Sequence, residues 1–289
     1  MQVVCAGHVN WDVTLRVDEL PEPDGEALID DQCQGGGGSA PNAATALAGL
    51  GHDPVLLGSV GEDEYATLAE QELTEAGVDC THLQRVAGRE TTVKYLVVDE
   101  AGQVVVLANE GANESYTAAD LPERALSAAD HLHLTGQDPD TALELAQRAS
   151  EVGVPVSFDP GRRLGGRNYR PVVDLADTVF VNEREAATAR EEGLLDGART
   201  VVCKLGDGGA VLEADGCRVE DPGYDAPTTD TAGAGDAFAA GFLAARFDGA
   251  DDQEALAVAN ACGALAVQSS GARTRLSWDA IREYRHKQS

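Results

Sequence analysis

Asp230-Thr-Ala-Gly-Ala-Gly-Asp236-Ala-Phe238, followed by Ala-Ala-Gly-Phe-Leu-Ala-Ala, is a turn of small residues that runs straight into an apolar helix. Small residues let a backbone come close to a ligand. The first amides of a helix have no partners inside it, so the N–H groups of about Gly233 to Asp236 make a ready anion site. A carboxylate at that spot adds repulsion if the site only binds anions. It makes sense if Asp236 takes a proton while the amides hold a phosphoryl group, with a base on the nucleophile and fixed dipoles on the developing charge. The plainer competitor is a helix cap at Asp236 and a bare turn at the glycines.

Outward from this stretch, strand-like runs alternate with helix-like runs. Val3 to Ala6 leads toward a Gly-rich turn at Gly35 to Gly38 and an alanine-rich helix over about Ser39 to Leu50. Pro54 to Leu57 precedes a helix over Glu64 to Ala76, His131–Leu134 precedes Thr141–Glu151, and Thr178–Val181 precedes Arg184–Glu191; Pro155–Phe158 is strand-like and followed by a loop. Helices close the chain over Ala234 to Ala245 and Asp252 to Val267. This rhythm predicts an α/β fold, a three-layer Rossmann-type core around a mostly parallel sheet. Two stretches break it. Val13 to Asp31 holds short β-like pieces, and Thr91 to Ala108 reads as a hairpin turning at Asp99-Glu-Ala-Gly102. They predict a small β-sheet lid from insertions over roughly 13–33 and 88–110, within a single domain spanning 1–289. No internal repeat or low-complexity linker is present.

Fifty acidic and 21 basic side chains give a net charge of −29, and only Lys94, Lys204 and Lys287 are lysines. Such a chain repels nucleic-acid phosphates and anionic lipid, so neither nucleic acid nor a membrane is expected as a partner. The acids are spread along the chain, which argues against a disordered tail. An acidic, lysine-poor surface suits a salt-rich, halophilic setting, where the Debye length falls to about 3 Å at 1 M. No apolar run is long enough to span a bilayer, and Met1 to Gly7 lacks the basic start of a signal peptide, so a cytoplasmic location is expected. The six cysteines make no Cys-x-x-Cys pair and read as reduced, buried, small hydrophobes. His131 and His133 share one strand face but offer too few ligands for zinc.

A second Gly-rich segment, Gly37-Gly-Ser-Ala-Pro-Asn42, opens a helix. It has neither the third spaced glycine of a dinucleotide fingerprint nor the Gly-Lys-Ser/Thr of a P-loop. Together with Gly7-His-Val-Asn10-Trp-Asp12, Asn182-Glu-Arg-Glu185, Lys204-Leu-Gly206-Asp-Gly-Gly209 and Asp230 to Asp236, it resembles, in order and over nearly the whole chain, the ribokinase/PfkB family of carbohydrate kinases. The resemblance implies ATP-dependent phosphorylation of a hydroxyl of a small sugar. On matching residues it implies Asp236 as the catalytic base, and Gly233, Ala234 and Gly235 as the anion hole. Asn10, Asp12, Gly37, Gly38 and Asn42 would bind sugar hydroxyls, which need short side chains able to donate and accept. Asn182 and Glu185 would position Mg²⁺ through water. Lys204, Gly206, Asp207, Gly209 and Asn260 would line the nucleotide cleft, and Asp230 is the candidate for a monovalent cation such as K⁺.

Plainer roles compete: a turn residue at Asp12, a helix-start residue at Asn42, an N-cap at Asn182 and a surface ion pair at Lys204. An asparagine buried without a partner is costly, which favours a cleft for Asn260. Three positions depart from the family. Gln137, the sixth candidate for substrate binding, stands where ribokinases often place a sugar-binding Glu. Asp159-Pro-Gly-Arg-Arg163 has glycine in place of asparagine. Arg275, in the loop Ser269 to Arg275, stands where ribokinases have a small polar residue, and a guanidinium there would replace the cation. A pentose or ketose is the first expected substrate. A nucleoside comes next, and then a sugar phosphate, for which Arg89 and Lys94 of the hairpin would supply cations. A non-catalytic sugar-binding regulator would have lost Asp236 or its glycines. The exposed strand edges of a lid point to a homodimer.

Overall fold

A computed structural model of the chain describes residues 1–101, 103–269 and 271–288. Gly102 of the expected hairpin turn and Ser270 of the C-terminal loop lie outside them. The chain begins with β1 (Gln2–Ala6), β2 (Asn10–Val17) and β3 (Ile29–Gly37), then α1 (Ser39–Gly49), β4 (Asp53–Val60), α2 (Glu64–Glu75) and β5 (Asp79–Arg85). The hairpin β6 (Thr92–Val98) and β7 (Val104–Ala108) follows, then α3 (Glu123–Ala128), β8 (His131–Thr135), α4 (Pro139–Val152), β9 (Val156–Asp159) and α5 (Arg170–Val173). The last part is β10 (Thr178–Asn182), α6 (Glu183–Glu191), β11 (Thr200–Lys204), β12 (Ala210–Ala214), β13 (Cys217–Asp221), α7 (Ala234–Phe247), α8 (Asp252–Ala266) and α9 (Trp278–Gln288).

A nine-stranded sheet runs in the order β13-β12-β11-β10-β9-β8-β1-β4-β5, parallel except where β12 and β13 fold back against β11. Alternate residues of β1 serve opposite faces. Val3 and Cys5 join the core beneath α1, α7 and α8, while Val4 and Ala6 join the core beneath α3 to α6. All four are fully buried, as a strand covered on both faces requires. On the first face Phe180 packs edge-on against Phe242 with centroids 5.5 Å apart, and α7 and α8 pack through runs of alanine. His131 and His133 both bond Ser157 Oγ at 2.8 Å inside the core. Burial and the neighbouring His133 lower the pKa of His131 to about 3, so both rings are structural and neutral.

A separate four-stranded sheet runs β3-β2-β6-β7. Its strands begin nearer the core than the expected insertions do. β2 starts at Asn10, and Gly35 to Gly37 are the end of β3 rather than a turn. Only Gly38 leaves the strand, with φ 101°. The glycines are there for close approach: a Cβ on Gly37 would overlap the Asp12 carboxylate. Buried cysteines are Cys5, Cys203 and Cys262; Cys33 and Cys217 are exposed on edge strands, against expectation. Among the described residues no helix is long and apolar enough to cross a membrane.

Candidate active site

The turn after Asp230 delivers the first amides of α7 to the C-terminal edge of the large sheet, where clefts form in such folds. Gly233 is the N-cap, with φ 74°, and brings no side chain to those amides. A Cβ there would strike the Ala272 carbonyl, so only glycine fits. Asp236 lies in the first turn. Its Oδ2 accepts from Asn42 Nδ2 at 2.8 Å, and the Ser39 side chain also bonds it. Burial, with the Asp159 carboxylate close by, pushes Asp236 up to about 6, against the pull of Asn42, Lys204 and Ser39. The residue keeps some exposed surface. The shift moves the ionisation of Asp236 from the ordinary carboxylate range toward neutrality.

Lys204 ends β11 and reaches across to Asp159 Oδ2 at 2.6 Å. It is therefore paired with a buried carboxylate rather than a surface one. Burial works against its charge, but Asp159 wins and its pKa is raised, so it stays an ammonium. Its Nζ lies 3.3 Å from where a Cβ on Gly235 would sit, at the mouth of the amide turn. Glu185 is buried, and burial together with Asp159 raises its pKa. Asn182 and Glu185 form a reciprocal capping box on α6, 2.9 Å each way. The helix-cap reading of Asn182 is thus the observed one, and it fixes the direction of Glu185.

On the lid side, Asp12 is part-buried, and burial raises its pKa against Lys94 and Arg273. Asn10 Nδ2, Asp12 Oδ1, Asn42 Oδ1 and Gln137 Nε2 are buried and have no hydrogen-bond partner among the described residues. Four of the six expected substrate residues thus present unsatisfied donors and acceptors, which cost free energy unless a ligand or solvent takes them. Gly37 and Gly38 shape the backbone beside them.

The nucleotide residues are less gathered. Gly206, Asp207 and Gly209 turn between β11 and β12, with Asp207 exposed. Asn260 is not unpartnered, as the argument for a cleft position assumed: it donates to Asp221 Oδ1 at 2.6 Å and holds the loop that Gly209 packs against. Asp230 accepts from Ala232 N at 2.9 Å and Gly271 N at 3.1 Å, and lines a cavity of about 310 Å³ with Asp12, Arg273 and exposed Arg275. Arg89, expected near the substrate, instead donates to the Gly111 carbonyl.

Several residues at the site were not singled out from sequence. Asp159 is the carboxylate that sets Lys204 and Asp236. Arg273 is part-buried, pairs with Glu72 at 3.0 Å and donates to the Gly37 carbonyl at 3.4 Å. Asn113 donates to Asn10 Oδ1 at 2.6 Å, and Tyr116 donates to Gln137 Oε1. Glu114, His8, Arg163 and Arg167 form one ion cluster. Asp159 and Arg163 lie in the Asp159-Pro-Gly-Arg-Arg163 departure, His8 in the Gly7 to Asp12 turn and Arg273 in the Ser269 to Arg275 loop, but the sequence alone gives none of them a role. The others come from loops with no periodic signal.

Comparison with known proteins agrees with this geometry. The model of the pfkB family of carbohydrate kinases matches residues 1–279. The chain is 50% identical over 286 residues to the ATP-dependent ribose-1-phosphate kinase of Halopiger xanaduensis, covering 97% of each. The structure superposes on the ribokinase of Thermotoga maritima with a TM-score of 0.88 at 26% identity, over 99% of each chain. It superposes on Arabidopsis thaliana ribokinase complexed with ribose and ATP with a TM-score of 0.87 at 25% identity, over 98% of this chain and 97% of that one. With a carboxylate in the first turn of a helix α7 that has no side-chain cap, on this fold and with these relatives, the chain belongs to the pfkB family of carbohydrate kinases.

Proposed function

We propose that the protein transfers the γ-phosphoryl group of ATP to a hydroxyl of a small sugar phosphate, of the ribose-1-phosphate class. The carrying observation is Asp236, hydrogen-bonded to Asn42 at 2.8 Å beside the uncapped amides of α7. Asp236 takes the proton of the attacking hydroxyl, and Asn42 orients the carboxylate. The Gly233 to Asp236 amides and the Lys204 ammonium receive the charge that develops on the phosphoryl group. The unsatisfied atoms of Asn10, Asp12 and Asn42 hold the sugar hydroxyls. Asp159 and Glu185 offer hard carboxylate oxygens of the kind Mg²⁺ takes, partly through water. When bound, Mg²⁺ would neutralise charge on the nucleotide phosphates. Closure of the small sheet over the sugar would exclude water, a competing acceptor. Asp230 is the carboxylate available to a monovalent cation, with Arg275 its competitor, and turnover with K⁺ exchanged for a bulky organic cation tests that role.

A sugar phosphate is favoured over the free sugar by the relative from Halopiger xanaduensis and by neutral Gln137, which removes a carboxylate from the site. The test is ADP release with Mg-ATP at high salt, over ribose 1-phosphate, ribose, fructose and nucleosides. The sugar phosphate is expected to have the highest kcat/KM. A free sugar or nucleoside exceeding it tenfold would overturn the substrate reading and leave the kinase standing.

A further inference from the structure

We infer that Arg163, Arg167 and Lys94 form an anion subsite that takes the phosphate already on the sugar, with the Glu114 carboxylate as the resident counter-ion it displaces. The inference rests on the sugar-phosphate reading above. In a chain of net charge −29, cations are scarce, yet several gather here. Glu114 Oε1 accepts from Arg163 at 2.8 Å, Arg167 at 2.6 Å and His8 at 2.7 Å, and Oε2 accepts from Arg167 at 3.1 Å. Burial opposes ionisation of Glu114, but the His8 and Arg167 hydrogen bonds overcome it and lower its pKa to about 2. Burial outweighs Glu114 at His8 and lowers its pKa, leaving the ring neutral. The two guanidiniums therefore exceed the one carboxylate.

The cluster adjoins the sugar site through two routes. Asn113, the neighbour of Glu114, bonds Asn10. Arg167 also donates to the Gln137 carbonyl at 2.9 Å. The unsatisfied groups of Asn10 and Gln137 are both N–H donors, suited to an anionic oxygen. Lys94 pairs in register with Asp12, so it shares that face of the small sheet, and its charge acts on both Asp12 and His8. The three cations outnumber the single Glu114 carboxylate, so a phosphate of charge about −2 near neutral pH that displaces it leaves the cluster better balanced than Glu114 alone does. Guanidinium forks match phosphate in a bidentate manner. Glu114 holds φ 60° without being glycine, a conformation that costs energy and that functional loops retain.

The test compares Arg163→Gln, Glu114→Gln and wild type with ribose 1-phosphate and ATP at fixed salt. Arg163 is half-exposed with one hydrogen bond, so its loss spares the fold. Arg163→Gln is expected to raise KM for ribose 1-phosphate about 10- to 100-fold, the loss of one charge-assisted contact, while KM for ATP moves less than about twofold. Glu114→Gln, which removes the competing anion, is expected to lower KM for ribose 1-phosphate. An unchanged KM in Arg163→Gln, or an equal rise in KM for ATP, overturns the subsite. A higher KM in Glu114→Gln overturns the counter-ion role. If wild type turns over free ribose but no sugar phosphate, the substrate reading itself falls and the subsite falls with it.

Discussion

Asp236 is read most directly from its surroundings. Its pKa of about 6 comes from burial and Asp159, so ionising it costs the fold. That cost is absent below pH 4 and fully present above pH 6. Asp236→Asn is therefore expected to melt no lower than wild type at pH 7, and to lose any advantage toward pH 4, by calorimetry. The same substitution should lower kcat by about 10²- to 10⁴-fold, the usual loss of general-base help; near-native turnover would remove the base from Asp236. In wild type, kcat/KM should rise with pH and level off above about 6, as the carboxylate ionises. A flat profile from pH 5 to 7 would mean that another group takes the proton. The turn from Asp230 to Asp236 stands out in the chain alone because its glycines and carboxylate lie within a few residues of one another, whereas the contact of Asn42 with Asp236 joins residues 194 positions apart. Nor does Asp159, 45 positions before Lys204, stand out: only the adjacency of the C-terminal ends of β9 and β11 across β10 lets the two meet.

Helix termini do much of the positioning. The α7 terminus has no side-chain cap, and its Ala234 amide makes only a long 3.4 Å bond to the Thr231 carbonyl, whereas α2, α4 and α8 each carry an aspartate cap. The α6 terminus is closed by the Asn182–Glu185 box. Asn182→Ala is expected to destabilise the protein by about 1 kcal/mol in chemical denaturation, the usual value of such a cap, and to free Glu185 from its fixed direction. An unchanged midpoint would show that the box carries no stability. Helices α1, α2, α4, α6, α7 and α8 and the hairpin β6–β7 were legible to within a few residues, since apolar periodicity and turn residues mark them; the short α3 and α5 and the polar α9 were not. The run Pro54 to Leu57 marked β4, but β5, β11, β12 and β13 were not legible, because short, partly buried strands carry little pattern. The run of glycines before α1 was misread as a turn because glycine's usual use in turns hides its other use, close approach along an extended strand.

Over the whole molecule the charge is the dominant long-range term. Self-repulsion from a net −29 weakens as salt shortens the Debye length from about 10 Å at 0.1 M to about 3 Å at 1 M. The melting temperature is therefore expected to climb as KCl rises over that range, and a fall would assign stability to surface ion pairs instead. The small sheet exposes every residue of β7, with Val104, Val105, Val106 and Leu107 each 43–58% accessible. An apolar edge strand of this kind calls for pairing with a second copy. Leu107→Lys should shift the mass in light scattering from dimer to monomer, and a wild-type monomer at micromolar concentration would dismiss the pairing.

Most of the alternation of strands and helices along the chain and the glycine turn leading into α7 were set out by local spacing, because apolar period, glycine placement and a helix start act within a few residues of one another. The ion cluster on Glu114, the pairing of Lys204 with Asp159 and the seat of Arg273 beside Gly36 and Gly37 came from folding alone. Each joins loops or strands far apart in the chain, and a charge finds its partner by proximity in space, which no one-dimensional pattern records.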